Sequence, residues 1–412
     1  MAGAAERGRQ AAHRALLVAL LAVLSFALGA PAAAARQGGD SPNLDAASWI
    51  LLDTSDDTVL AARRADARRG MASTTKLMTA YLARRDLELS DEVVAPPYSA
   101  GAAESLLGLE TGERISVDDL LHGLLMVSGN DAAAALSVAA SGSTPAFVGE
   151  MNAAAAELGL DDTSYENPIG FDAPTHYTTA ADLADLAETV LADPFLRRVV
   201  GTRKITLRGG EETRRLRNSN ELLQTTPWVT GVKTGYTEQS GYVLVSSGER
   251  RGVGLLAVVM GAPSEAARDA SSVELLDYGF SLYSRSTPVE RGERLANATV
   301  DLQDERVALE SDGSVEVTAR EEQQVDLRID APSTVEGPID QGEQVGTAVV
   351  ELDGEVVGRV GLRAAEAVAA PSLIERADGT LVGPRAVVWI ALVLVAGLVI
   401  FLFVMSFSRR RG

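Results

Sequence analysis

Ala72-Ser-Thr-Thr-Lys-Leu-Met-Thr-Ala80 carries a hydroxyl at Ser73 and an amine at Lys76, three positions on. Leu77, Met78, Tyr81 and Leu82 give the apolar spacing of a helix, predicted from Ser73 to about Arg85. Positions three apart on a helix share a face, so the hydroxyl and the amine meet. A neutral Lys76 can take the Ser73 proton and turn the hydroxyl into a nucleophile without any histidine. This requires its pKa to fall well below the usual ~10.4, through burial or a neighbouring cation.

Composition bears on the same point. The 412-residue chain has 37 basic residues, of which only Lys76, Lys204 and Lys233 are lysine. Arginine stays protonated, so a chain this biased toward it keeps lysine where arginine will not serve. There is no Cys, which excludes disulfides, thiolate metal sites and a cysteine nucleophile. With three His, an imidazole-based metal site is not expected, and no metal or cofactor is called for. The net charge of −20 argues against nucleic acid as a partner, since phosphate neutralisation needs a surplus of cations.

Two further motifs follow. Ser116-Val-Asp-Asp119 predicts a capped helix running to about Val127, broken by Ser128-Gly129-Asn130 before helix resumes from Asp131. A hydroxyl at Ser128 could relay a proton between Lys76 and a leaving group, and the Asn130 amide could orient Lys76 or bind a substrate carbonyl. Lys233-Thr234-Gly235 falls on a predicted strand from Val229, where a cation and a hydroxyl can hold a carboxylate and glycine permits close approach. Taken singly, these are a helix start, an interhelical turn and a strand end with a surface lysine. Their conjunction, with two of the three lysines in the first and third motifs, sets them apart.

That order resembles the penicillin-recognising serine enzymes, and the local text narrows the resemblance to the D-alanyl-D-alanine carboxypeptidases among low-molecular-weight penicillin-binding proteins. The segments that carry it are Ala72 to Ala80, Leu124-Leu-Met-Val-Ser-Gly-Asn-Asp-Ala-Ala133, Asn167-Pro-Ile-Gly-Phe171 with His176-Tyr177, and Gly231-Val-Lys-Thr-Gly-Tyr-Thr237. It covers residues 43 to 284. It implies an α/β fold of the β-lactamase/transpeptidase type: an antiparallel sheet with helices on both sides and a helical subdomain, then a small all-β domain and a C-terminal transmembrane helix.

By this resemblance Ser73 forms the acyl-enzyme with the penultimate D-Ala of a peptidoglycan stem peptide, Lys76 is the base, Ser128 the proton relay and Asn130 the positioning amide. Lys233, Thr234, Gly235, Tyr236, Thr237 and Arg268 bind substrate, with the backbone N–H groups of Ser73 and Tyr236 forming the oxyanion hole. β-Lactams are expected as covalent inhibitors. Tyr236 stands where family members often carry His, and Ser219 where some carry a basic residue. Glu166 invites comparison with a β-lactamase, although the text after it is that of the carboxypeptidases. His122, among leucines, is expected to pack a helix, and nothing requires His176 in catalysis. The alternatives are a β-lactamase or D,D-endopeptidase on the same fold, or a non-catalytic wall-binding scaffold.

The ends of the chain suggest export and anchoring. Residues 1–35 have the basic start, apolar run and small-residue close of a signal peptide. Residues 386–407 carry no charge and would extend about 33 Å as a helix, with Arg409 to Arg411 behind them. This predicts a single-pass cell-membrane protein with its catalytic domain outside and its C-terminus cytoplasmic. The expected organisation is thus a catalytic domain at 37–285, a β-rich domain at 286–368, a linker at 369–385, the span and a tail at 408–412.

Overall fold

A computed structural model describes residues 41–303, 305–372, 389 and 391–400. The expected leader (1–35) and tail (408–412) lie outside the described residues, as do most of the expected linker and both ends of the expected span. Chain contacts divide the protein after Ser281 into two units.

In the first unit, β1 (Ser48–Asp53) turns back through Asp56 and Asp57 into β2 (Val59–Arg63), the hairpin that the sequence predicts. A 3-10 turn over Ala72–Thr75 then leads into α1 (Lys76–Asp86). The helix expected from Ser73 starts as this tighter turn. The Thr74 and Thr75 hydroxyls donate to the carbonyls of Met71 (2.6 Å) and Ala72 (2.8 Å) and draw the backbone in. A short hairpin of β3 (Glu92–Val94) and β4 (Arg114–Ser116) precedes α2 (Val117–Met126), whose cap Ser116 accepts from the Asp119 N–H at 3.1 Å. Helices α3 (Asn130–Ser141), α4 (Thr144–Glu157), α5 (Ala180–Ala192) and α6 (Pro194–Gly201) complete a helical layer. After the hairpin β5 (Lys204–Leu207) and β6 (Arg214–Arg217) and the short α7 (Leu222–Thr225) come β7 (Val229–Thr237), β8 (Gly241–Arg250), β9 (Val253–Ala262) and α8 (Glu265–Ser281).

The main sheet runs β2-β1-β9-β8-β7, antiparallel throughout. Alternation along its central strands supplies two apolar faces. Ile50, Leu52, Leu256, Val258 and Met260 enter the core shared with the helical layer. Leu51 and Leu255 point the other way, against Gly279 of α8, where a Cβ would come within 2.8 Å and 2.6 Å of them. Helices thus cover both sides. α8 ends at Ser281, and Tyr283 opens the next strand.

The second unit is all β. Strands β10 (Tyr283–Val289), β11 (Arg294–Val300), β12 (Arg306–Ser311), β13 (Val315–Arg320), β14 (Val325–Asp330), β15 (Thr334–Val335), β16 (Gln344–Leu352) and β17 (Glu355–Ala364) form a β10-β13 pair and a six-stranded sheet ordered β14-β16-β17-β12-β11-β15. The expected boundary at 285 falls inside β10, whose Tyr283 to Ser286 pair with Val317 to Arg320. Ala298, Val300, Val307, Leu309 and Leu362 form the centre of its core.

Of the expected span at 386–407, the described part is one apolar helix, Ala391–Ile400. Among the described residues no single helix is long and apolar enough to cross a membrane. Ten residues rise only about 15 Å, half of a ~30 Å hydrocarbon core.

Candidate active site

Ser73 lies in the 3-10 turn that ends the run from Met71, half-buried and directly ahead of the buried first turn of α1. Ala72, just before it, has a φ of 49°, a left-handed conformation that costs a non-glycine residue about 1–2 kcal/mol. Two glycines make room for this turn. A Cβ on Gly170, whose φ is +103°, would fall 2.0 Å from the Ala72 carbonyl oxygen. A Cβ on Gly235 of β7 would lie 3.0 Å from the Ser73 nitrogen. The strand therefore runs hard against the backbone of Ser73 itself.

Lys76 is fully buried. Its Nζ stands 3.0 Å from Ser73 Oγ and donates to Asn130 Oδ1 at 2.8 Å and to the Ile169 carbonyl at 2.8 Å. Burial and then the charge of Lys233 drive its ammonium well below the ordinary value, with Glu104 and Asp131 acting in the opposite sense. A neutral amine within hydrogen-bond reach of a serine hydroxyl is the arrangement that general-base activation needs.

The break between α2 and α3 is held from outside. Asn130 N donates to the Ser105 carbonyl at 2.8 Å, and the Asp131 carboxylate accepts from the backbone of Leu107 (2.8 Å), Gly108 (2.7 Å) and Leu109 (2.9 Å). Ser128 sits in the break with a φ of 62°, and its buried Oγ has no hydrogen-bond partner among the described residues. Strained backbone of this kind persists where the surroundings over-determine it.

Lys233 is buried on β7, its Nζ donating to the Thr234 carbonyl at 2.9 Å. Burial, then the charge of Arg268, bring its ammonium down to about 7. Arg268 is itself buried on α8 and bonded to Asp269 (2.8 Å) and Glu265 (3.0 Å). Thr234 Oγ1 lies 3.1 Å from Ser219 Oγ, and the Ser219 N–H binds the Met126 carbonyl at 2.8 Å, so β7 meets the end of α2. Thr237 donates to Asp172 Oδ1 at 2.7 Å. Tyr236 is exposed and stacks on Tyr242 at 4.3 Å between ring centres.

Residues 35–264 match the family model described as D-alanyl-D-alanine carboxypeptidase, and residues 283–370 match the penicillin-binding protein 5 C-terminal domain. The chain is 32% identical over 364 residues to D-alanyl-D-alanine carboxypeptidase DacF of Bacillus subtilis (strain 168), an alignment that takes in 85% of this chain and 94% of DacF. This protein belongs to the D-alanyl-D-alanine carboxypeptidase family. Against the carboxypeptidase DacA of Escherichia coli (strain K12) it is 31% identical over 332 residues, 77% of this chain and 82% of the relative. The solved structure of penicillin binding protein 5 from Haemophilus influenzae matches with a TM-score of 0.57 at 29% identity, covering 81% of this chain and 100% of that one.

In this carboxypeptidase, Glu166 turns to Thr175, whose hydroxyl it accepts at 2.8 Å, rather than to Ser73. His122 packs edge-on to Phe195 with ring centres 5.7 Å apart, the packing place expected for it. Glu104 and Tyr98 went unread in the sequence, and His176, read there as part of a family segment with no catalytic part, has a structural one. His176 Nδ1 accepts from the Glu166 N–H at 3.0 Å, which leaves Nε2 to donate to Thr75 Oγ1 at 2.8 Å. Burial pushes its pKa down to about 4, so it buttresses the nucleophile turn as a neutral ring. Glu104 and Tyr98 stand behind Asn130. No local pattern marks Glu104 or Tyr98.

Proposed function

We propose that Ser73 Oγ attacks the carbonyl of the penultimate D-Ala while Lys76 Nζ takes its proton, and that Ser128 passes a proton to the departing D-Ala amine. Lys233 and Thr234 hold the terminal carboxylate, and the Ser73 and Tyr236 N–H groups receive the developing oxyanion. Water, deprotonated through Lys76, then cleaves the Ser73 ester and returns the enzyme. Serine D,D-carboxypeptidase activity on peptidoglycan goes with family membership. The observation that carries this assignment of roles is the buried Lys76 amine, 3.0 Å from Ser73 Oγ and 2.8 Å from Asn130 Oδ1. β-Lactams mimic the same D-Ala-D-Ala carbonyl and acylate the same hydroxyl.

Intact mass after penicillin exposure tests this directly. The wild-type chain gains one penicillin and releases D-Ala from a stem-peptide mimic; Ser73→Ala does neither. An adduct that survives in Ser73→Ala removes Ser73 from the mechanism. We propose further that residues 386–407 anchor the chain with its catalytic unit outside the cell, on the strength of 22 uncharged residues ahead of three arginines. A chain ending at Ala370 should then leave the membrane fraction, and one that stays behind argues against the anchor.

A further inference from the structure

The Asn130 carboxamide is bound at both ends. Its Oδ1 accepts from Lys76 at 2.8 Å, and its Nδ2 donates to Glu104 Oε2 at 2.9 Å. An ionised carboxylate accepts and never donates, so the amide must turn its Nδ2 toward Glu104, which leaves Oδ1 to accept from Lys76. Glu104 is fixed in turn. Its Oε1 accepts from the Gly101 N–H at 2.6 Å, and its Oε2 accepts from the Tyr98 hydroxyl. Burial and the neighbouring carboxylate push Tyr98 up, which keeps it a neutral donor.

We propose that Glu104 is a positioning residue, locking Asn130 so that its oxygen faces Lys76, and lending a negative charge to the surroundings of the base. The proposal rests on the reading of Lys76 as the base. The charged groups facing Lys76 are Lys233, Glu104 and Asp131, and those facing Glu104 are Tyr98 and Lys76. Glu104 works against the depression of the Lys76 pKa, so removing its charge lowers that pKa further.

Glu104→Gln in the full chain should reduce kcat for D-Ala release about tenfold, the scale of one lost charged hydrogen bond. It should also move the acidic limb of kcat/KM to lower pH, because more Lys76 is neutral at a given pH. Tyr98→Phe should give a smaller loss with the same sign. In Glu104→Gln a merely structural role would lower activity without moving the limb, and that result overturns the proposal. So does kcat within twofold of wild type. If Glu104→Gln does not fold, Tyr98→Phe decides through kcat, which should fall while the limb stays in place because the Glu104 charge remains; an unchanged kcat counts against. A wild-type chain that releases no D-Ala breaks the underlying reading instead.

A separate observation concerns Lys204, the one lysine outside the site. It lines a depression of about 800 Å³ with Arg197, Arg198, Arg203, Gln224 and Thr230. No carboxylate lines it, and none of the four exposed cations makes an ion pair among the described residues. Arg68, Arg114, Arg217 and Arg250, by contrast, each pair with an acid. In a chain of net charge −20, four unpaired cations together are an arrangement that an anion completes.

We infer that this depression binds a flexible polyol-phosphate polymer, whose repeated phosphates suit three guanidinium forks and an ammonium, the attraction being local to this patch in a chain whose net charge of −20 disfavours nucleic acid. Fluorescent poly(glycerol phosphate) added to the detergent-solubilised full chain should bind, and weaken at least about tenfold between 50 and 200 mM salt. Arg197→Gln with Arg203→Gln should lose a further tenfold while D-Ala release from a soluble peptide stays unchanged. Equal affinity in the variant overturns the inference, as does binding to phosphatidylglycerol vesicles without binding to the polymer.

Discussion

Lys76→Arg should abolish penicillin acylation and lower D-Ala release by about a thousandfold, the middle of the range for losing a general base. Arginine supplies the same charge and more donors, yet it does not deprotonate at any pH the protein survives. The wild-type profile carries the same logic. If Lys76 is the base proposed above, it acts when neutral, and activity should rise as pH climbs through its depressed pKa. On the proposed role of Lys233 as the carboxylate's cation, it binds when charged, and kcat/KM of the free enzyme should fall as pH passes about 7. A bound carboxylate favours the charged Lys233, which places the basic limb of kcat above that of kcat/KM. An arginine variant within tenfold of wild type would rule out the neutral base.

Glu113→Ala should destabilise the first unit by roughly 3–5 kcal/mol, the cost of stranding a buried charge. Glu113 and Arg214 are both buried, joined by two parallel bonds of 2.8 Å and 2.7 Å. Glu113 also accepts from the Glu110 and Glu211 N–H groups, and Arg214 donates to the Gly108 carbonyl at 2.8 Å. Burial alone would raise the carboxyl, but Arg214 and these N–H groups hold it below its usual value. The pair's contribution is therefore complete above the unfolded pKa near ~4.3 and disappears as pH falls through the lower folded value. Thermal unfolding should show a drop of roughly 6–20 °C for Glu113→Ala. Glu113→Met with Arg214→Leu should recover much of it, and a single variant within 1 °C of wild type would contradict the account.

The same pair shows where the sequence was silent. In β6 the inward positions are Arg214 and Leu216, so a charged residue occupies a core place and the period-two signal of a strand is lost. Only Glu113, 101 positions away, makes sense of it. Glu104 and His176 are of the same kind, tied to Asn130 and Thr75 by contacts 26 and 101 positions long. Helix α6 did carry a signal. Asp193 before Pro194 caps it, accepting from the N–H groups of Phe195 (2.7 Å) and Leu196 (3.0 Å). Its eight residues, two of them arginine, are too few to show a clear apolar stripe. Ser73 and Lys76 were legible because their meeting is local, one turn of one element. Lys233 was legible only as part of an ordered set, since its approach depends on β7 lying against the turn.

Among the described residues β7 is the last strand of its sheet, paired with β8 on one side alone. An open sheet edge is ordinarily an aggregation liability, because any extended chain can add to it through main-chain bonds. Beside Ser73 that promiscuity becomes useful, since a peptide laid along Lys233 to Thr237 would lengthen the sheet by one strand whatever side chains it carries. On the roles proposed above, main-chain bonds along β7 would hold the upstream stem residues whatever their side chains, while Lys233 would read the terminal carboxylate.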